Sequence, residues 1–266
     1  MIDHQALRKR FNPDGSLLRL HQLRMLELLL ELDRICKKHH IKYWLSSGTL
    51  IGAMRHNGFI PWDDDLDIEM MRSDYLRLLK ILPSELPETI ALQDESTDCN
   101  YFYYYAKLRD RRSYLEETNN YDRMLKERGA YIDIFPLEKQ RQWVHILSEK
   151  TTGHMYKVWR NSTDDKKSMR QVKRIFNLNQ HTIYPLLRRL NLLLGSQIVT
   201  SGLGIPFHNP RYEQDIFPLT VHDFEGYQLP VPHNADGLLR GIYGDYMQLP
   251  DLDHLHPHIN KIELYD

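Results

Sequence analysis

Gly48-Thr49-Leu50-Ile51-Gly52-Ala53-Met54-Arg55-His56-Asn57-Gly58-Phe59-Ile60-Pro61-Trp62-Asp63-Asp64-Asp65-Leu66-Asp67-Ile68 is the stretch on which the reading of the chain turns. It sets a glycine turn ahead of four aspartates within five residues. Like charges this close repel, and a folded chain tolerates them when they are solvated or gathered around a cation. From Asp65 the run Asp-Leu-Asp-Ile-Glu-Met alternates at period two. On a strand Asp65 and Asp67 would share one face, and Leu66, Ile68 and Met70 the other. Paired carboxylates on one strand face suit a hard divalent cation, Mg2+ or Mn2+. Just upstream, Gly48 admits close backbone approach, and Ser47 and Thr49 add hydroxyls. Leu50 to Met54 reads as a short helix whose N-terminal N–H groups would face an anion.

A third carboxylate lies further on. Asp133 is embedded in the apolar run Gly129 to Leu137, which Pro136 closes. A buried aspartate left alone costs several kcal/mol, so it needs a basic partner or a cation. Between the two sites, Tyr101 to Arg109 is the most strand-like run of the chain. Its alternation assigns Phe102, Tyr104, Ala106 and Leu108 to one face, and Tyr101, Tyr103, Tyr105, Lys107 and Arg109 to the other. That second face could hold a phosphate, but a half-exposed strand with a charged end accounts for it better. Ser113 to Glu117 reads as the return strand of a hairpin.

The rest supports this centre. Residues 1–15 form a polar arm. Asp14 and Ser16 offer caps to a helix over Leu17–His39, with Leu20, Leu23, Leu26, Leu30 and Ile35 at helical spacing. Ile41 to Leu45 reads as a short strand. Ser73 caps a helix that Pro83 ends after Leu82. Residues 16–138 make the catalytic core, 139–215 a mostly helical region, and 216–266 a block that completes the same domain. Within 157–190 there are nine Lys or Arg against two acids, as on a solvated helix face or a membrane-surface patch. Phe224 to Pro232 reads as a turn and an edge strand, and Asn234 as the cap of a helix through Ile242. His254, His256 and His258 would share a strand face and take Zn2+, but no cysteine supports them, and a solvated tail suits them better.

Composition narrows the class. A length of 266 residues fits one large domain, and a net charge of −1 gives no global field for nucleic acid. Two cysteines without a CxxC pattern point to a reducing compartment. No signal-type N-terminus and no apolar run of about 18 residues is present, so a cytoplasmic protein is expected.

The opening stretch closely resembles the signature of LicD-type phosphocholine transferases. Gly129–Leu137, Lys107-Leu108-Arg109, Phe224–Pro232 and Tyr243-Gly244-Asp245-Tyr246-Met247 through Pro250 resemble later blocks of the same family. The match runs from about residue 20 to 260 and is loose between about 140 and 215. The resemblance implies an α+β fold: a nucleotidyltransferase-like mixed β-sheet core flanked by helices, with a helical elaboration in the second half. It implies that Asp65, Asp67 and Asp133 are the catalytic, Mg2+-holding carboxylates, with Asp63 and Asp64 as further ligands or as organisers of the turn. Substrate would meet Ser47, Gly48, Thr49, Arg55, His56, Lys107 and Arg109. The implied reaction moves phosphocholine, or a related phospho-alcohol such as phosphoethanolamine, from CDP-choline or another CDP-alcohol to a hydroxyl of a glycan or lipid-linked oligosaccharide, releasing CMP. Tyr101, Tyr103 and Tyr105 would supply an aromatic box for choline, or simply pack. Asp133 or His56 would take the acceptor proton. Peripheral contact with the inner face of a membrane accompanies this reading. Fukutin-type ribitol-phosphate transferases are similar, but their metal-finger elements have no counterpart in a chain with two cysteines. Two other classes stay open: a nucleotidyltransferase acting on a small molecule, and a non-catalytic carbohydrate-binding module.

Overall fold

The alternating run after Asp65 becomes a strand only from Asp67, and that strand lies inside a seven-stranded mixed sheet. The computed structural model of the chain describes residues 3–207, 209–255 and 257–265. Helices α1 (His4–Phe11) and α2 (Leu17–Lys38) precede β1 (Trp44–Leu45). Then come α3 (Ser47–His56), β2 (Asp67–Met71), α4 (Arg72–Glu85) and β3 (Ile90–Gln93). Strands β4 (Ala106–Asp110), β5 (Ser113–Glu117) and β6 (Tyr131–Lys139) follow. A helical layer holds α5 (Gln142–Arg160), α6 (Asp165–Leu178), a π-helical turn (Asn179–Ile183) and α7 (Tyr184–Leu194). The chain ends with β7 (Ile198–Ser201), β8 (Arg211–Tyr212), α8 (Glu213–Ile216), β9 (Thr220–Phe224), β10 (Tyr227–Val231), α9 (Ala235–Tyr243) and β11 (Ile259–Leu264). The fold is α+β.

The sheet runs β1-β2-β6-β4-β3, with β7 and β8 continuing from the far half of β6. Within it β2 and β6 are parallel, and the other pairs are antiparallel. Ile68, Leu108, Ile132 and Ile134 turn to one face and join Leu28, Leu29 and Leu32 of α2 and Leu78 and Leu82 of α4 in the main core. The other face carries polar side chains at its centre and opens toward α5.

Helix α2 starts where its cap predicts, with the Ser16 side chain accepting from the Arg19 N–H. Its inward face differs from the leucine stripe. Leu20 and Leu23 are exposed, whereas His21 and Gln22 are buried. A buried amide and imidazole are stable only with partners, and both find them in the aspartate loop.

Other elements depart from the sequence pattern for reasons of packing. The polar arm is helical at its start, as α1. Only Trp44 and Leu45 of the first expected strand pair with a neighbour. Helix α4 begins at Arg72 without a side-chain cap and carries Pro83 inside its last turn. The aromatic run is not a strand before Ala106. Tyr104 stacks on Phe176 at 4.8 Å, Phe102 meets Trp159 at 6.0 Å, and the Tyr101 carbonyl accepts from Lys173. These rings build a second core under α5 and α6, so tertiary packing overrides β-propensity. The expected hairpin of β4 and β5 also does not form. Strand β4 is paired on both sides, by β3 and β6, and β5 pairs with β11 instead. The edge strand expected near the C-terminus is a hairpin, β9 with β10, and Asn234 caps α9 as its sequence predicts.

Gly129 enters β6 against the end of β4. A β-carbon there would overlap the Asp110 carbonyl oxygen, a backbone atom that cannot swing aside. Gly129→Ala should therefore cost about 1–3 kcal/mol, as overpacking does, read as a lower urea midpoint at unchanged slope. Gly241→Ala, with open space around it in α9, should leave the midpoint unchanged or raise it.

Candidate active site

Strand register builds the centre. Parallel pairing of β2 with β6 sets Asp67 beside Asp133, and antiparallel pairing of β6 with β4 sets Lys107 on the other side of Asp133. The three side chains therefore stand in one row across the open face of the sheet. The Lys107 Nζ lies 2.7 Å from Asp133 Oδ1 and 3.6 Å from the centre of the Tyr131 ring. Burial nonetheless outweighs the lysine, and the Asp133 carboxyl is pushed up to about 6. Asp67 is held well above the usual carboxylate range by burial and then by Asp65, Asp133 and Asp63. Asp63 is likewise raised by burial and by its acidic neighbours, and Asp65 is raised by burial against the pull of His258.

The loop before β2 is fixed from two directions. Gln22 donates to the Asp63 carbonyl at 2.9 Å and to that of Ile60 at 3.3 Å, and the His21 imidazole bonds the Asp64 carbonyl at 3.0 Å. Asp64 itself is not part of the carboxylate group. Its side chain accepts from the backbone N–H groups of His258 at 2.8 Å and Ile259 at 3.0 Å, and it pairs with the His258 ring at 2.9 Å. These bonds fasten the C-terminal segment onto the loop. They bring His258 within 3.6 Å of Asp65, and the hydrogen bond to Asp64 pushes its pKa up to about 9. The solvated tail expected for the three histidines therefore does not hold for His258. Two residues from it, His256 lies outside the described residues, and His254 is exposed beside Asp251. The local spacing of the three histidines marks His258 only as a zinc candidate; its pairing with Asp64 spans 194 residues of sequence and is closed by β5–β11 pairing.

The turn at the start of α3 adjoins the same group. A β-carbon on Gly48 would come within 2.9 Å of Asp63 Oδ2, so glycine is what lets that carboxylate approach. The Thr49 hydroxyl accepts from the Asp67 N–H at 2.8 Å and ties the helix to β2. Ser47 takes a left-handed conformation at φ 49° and begins the helix. The first N–H groups of α3 have no acceptor within the helix.

Three other expected substrate contacts lie elsewhere. Arg55, at the far end of α3, donates to the carbonyls of Tyr246 and Gln248. His56 beside it meets His4 and is pushed down to about 3 by burial. Arg109 is fully enclosed, donating to Gln93 and to the Gly129 carbonyl, with Glu117 at 3.5 Å. Lys107 is the basic residue of that segment that reaches open space.

That space is a cleft of about 770 Å3. Asp65, Asp133, Lys107 and His258 line its inner part, and Tyr103, Tyr105, Tyr121, Tyr131, Tyr156 and Phe207 its walls. Of the three tyrosines expected as an aromatic box, Tyr103 and Tyr105 line it, whereas Tyr101 is buried and donates to the Tyr105 carbonyl. Asp63, Asp65, Asp67 and Asp133 are all oxygen donors, the chemistry a hard divalent cation requires. Among the described residues no three His, Cys, Asp or Glu side chains already converge on one point at ligand spacing. The cluster thus has the donor set of a metal site without the closed geometry.

Comparison with known proteins gives the family. Residues 40–192, more than half of the chain, match the family model described as LicD/FKTN/FKRP, nucleotidyltransferase domain. The chain is 28% identical over 263 residues to the lipopolysaccharide cholinephosphotransferase LicD of Haemophilus influenzae, covering 91% of this chain and 95% of that protein. A stretch of 34 residues is 47% identical to the ribitol 5-phosphate transferase FKRP of Homo sapiens, covering 13% of this chain and 7% of that one. A carboxylate row on paired strands beside a helix-starting turn is thus found in a chain that matches this domain from β1 through β6 and into α7: the chain belongs to the LicD/FKTN/FKRP family.

Proposed function

We propose that this phosphotransferase moves phosphocholine, or a related phospho-alcohol such as phosphoethanolamine, from a CDP-activated donor to a hydroxyl of a cell-surface glycan precursor. The acceptor oxygen forms a bond to the phosphorus that carries the alcohol, the bond from that phosphorus to CMP breaks, and the acceptor proton passes to Asp133 or to water. The observation that carries this reading is the row of Asp67, Asp133 and Lys107, whose last two members line an open cleft together with Asp65, in a chain similar along nearly its whole length to a cholinephosphotransferase.

The residues divide the work. Lys107 places a positive charge beside Asp133, where a donor phosphate would replace or share that carboxylate as partner. His258 is protonated near neutral pH and turns a second cation toward the same space, with its ring fixed by Asp64. The turn at Ser47, Gly48 and Thr49 offers N–H groups to phosphate oxygens. Asp65, Asp67 and Asp133, with Asp63 next to them, would hold Mg2+ or Mn2+, which when bound neutralises phosphate oxygens and polarises phosphorus. Phosphoryl transfer asks for little beyond such positioning and charge stabilisation.

The reading also puts the protein in the cytoplasm at the inner face of a membrane. No described helix is long and apolar enough to cross one. Helix α7 instead ends in Leu192 and Leu193, 83% and 86% exposed. Arg141 donates to the Leu194 and Gly195 carbonyls and so joins the start of α5, with its exposed Trp143 and Leu147, to the end of α7. Exposed apolar side chains with arginine among them suit an anionic lipid surface.

Purified protein should release CMP from CDP-choline in the presence of Mg2+. Asp65→Ala combined with Asp67→Ala should lower turnover by about 10²-fold or more, the scale of a lost electrostatic stabiliser. Undiminished turnover in that variant, or in wild type after exhaustive chelation, would overturn the assignment, and pyrophosphate release from a nucleoside triphosphate would favour nucleotide transfer instead.

Stability of the chelated protein should depend on pH. Asp63 and Asp67 bind protons more tightly in the folded chain than in the unfolded one, so their contribution is present at low pH and lost as pH rises through the folded values. For His258 it is whole below about 6.5, the ordinary histidine value, and is lost as pH rises through about 9. The melting temperature in chelator should therefore fall from pH 7 to pH 9, less steeply in His258→Gln, and Mg2+ should stabilise more at pH 9 than at pH 7. A melting temperature that climbs over this interval in chelator would contradict the assigned shifts.

Anionic vesicles should co-sediment the protein, and Leu192→Ser with Leu193→Ser should reduce this at unchanged CMP release from CDP-choline with a soluble acceptor. Equal sedimentation of wild type and variant would place the membrane contact elsewhere.

A further inference from the structure

The cleft is larger than the carboxylate row needs, and its outer half is built differently from its inner half. In the inner half Lys107 sits on one ring face: its Nζ lies 3.6 Å from the Tyr131 ring centre, and 5.5 Å, well off close contact, from those of Tyr103 and Tyr105. Further out, Tyr156 of α5 stacks on Tyr121 at 5.5 Å and stands 6.4 Å from Tyr103. No lysine or arginine stands over the Tyr156 face at the distances found for Tyr131, among the described residues.

Glu117 lines this same half. It ends β5 and is 6% exposed, yet its Oε1 accepts no hydrogen bond from any described residue. Its one ionic neighbour there is the enclosed Arg109, at 3.5 Å. A buried carboxylate normally draws N–H or O–H donors toward itself. Here it is surrounded mainly by ring faces. A primary ammonium would want three acceptors, and a polyol would want donors and acceptors in alternation. A quaternary ammonium wants neither. It carries a diffuse positive charge on methyl groups, and aromatic faces with a carboxylate nearby are the surroundings it prefers. The rim of the cleft has the opposite sign, with Lys157 and Arg160 one turn apart on α5, and suits the anionic remainder of a donor.

We propose that Tyr103, Tyr121 and Tyr156 together with Glu117 form a subsite for the quaternary ammonium of the transferred phosphocholine. The inference rests on the transferase reading above and selects phosphocholine among the phospho-alcohols that it leaves open. It also separates two uses of the aromatic wall: Tyr131 holds Lys107 for phosphate, and the outer rings hold the alcohol.

The test measures CMP release from CDP-choline, inhibition by CDP, which lacks the alcohol, and direct calorimetric binding of choline chloride. Tyr156→Leu and Glu117→Gln should each raise KM for CDP-choline about tenfold, about 1.4 kcal/mol. Turnover at saturation should stay within about twofold in both. Neither should move the inhibition constant of CDP. Tyr156→Phe, which keeps the ring face, should retain the wild-type KM and shows that Tyr156→Leu does not act through misfolding. If wild type turns over CDP-choline and both variants keep its KM, or if CDP inhibition weakens in parallel, the subsite is overturned while the transferase reading stands. If wild type releases no CMP from any CDP-alcohol, that reading falls, and calorimetry decides the subsite alone. Choline binding by wild type that Glu117→Gln abolishes supports it, and no choline binding by wild type overturns it.

Discussion

The in-register pairing of β2 with β6 is the constraint on which the molecule depends. It sets Asp67 directly beside Asp133, two like charges on adjacent strands, with a single lysine to balance them. A slip of one residue in either strand would send one aspartate into the leucine-rich core and Ile68 or Ile134 into the cleft. The apolar alternation on the other face therefore enforces the unfavourable pairing. Hydrophobic burial is the stronger of the two effects, and it positions an electrostatic conflict that the site then uses. Raised proton affinity at Asp67 and Asp133 records how incompletely the chain resolves that conflict by itself.

Around this row the fold has two regimes of packing. The main core is aliphatic and binds α2 and α4 to the back of the sheet. The second is aromatic and sits under α5 and α6. The cleft forms where they part, because residues 101–105 leave the sheet at Ala106 to enter the aromatic core. The same five residues thus furnish core and site at once. Tyr104 and Phe102 face inward onto Phe176 and Trp159, and Tyr103 and Tyr105 are left along the wall of the cleft. Helix α5 closes the far side with Tyr156, Lys157 and Arg160, and its first turn carries the exposed Trp143. One helix therefore joins the reacting space to the apolar corner of the surface.

Much of this is legible in the sequence, where the information is local. Period-two alternation marks the strand of Asp67, a continuous apolar run marks that of Asp133, and the glycine turn marks the start of α3. What is not legible depends on long-range pairing. Alternation in Tyr101–Arg109 puts Arg109 on the same face as Lys107, and the structure agrees, but only the fold shows that Gln93 and the Gly129 carbonyl enclose the arginine. A strand pattern in Ser113–Glu117 says that it pairs, not that β4 has no free edge. Helical spacing groups the leucines of α2 into one stripe, although two neighbouring polar residues, His21 and Gln22, point inward to hold carbonyl groups of the aspartate loop. Hydrophobic periodicity carries no record of polar groups buried for their partners.

The four clustered aspartates show how far a local rule can reach once one contact is known. In extended chain, side chains two apart share a side and neighbours oppose. Asp63, Asp65 and Asp67 form one set, and Asp63 and Asp65 share a hydrogen bond. Asp64 turns the other way, with Leu66 and Ile68, and would be an uncompensated buried charge there. The backbone N–H groups of His258 and Ile259 compensate it. The chain end thereby becomes part of the site's support: β11 pairs with β5, β5 ends at Glu117 in the cleft, and Asp64 pins the start of β11 to the loop that carries Asp65. The aspartate whose place in the cluster looks redundant is the one that connects the clustered carboxylates, through β11 and β5, to Glu117 in the lining of the cleft.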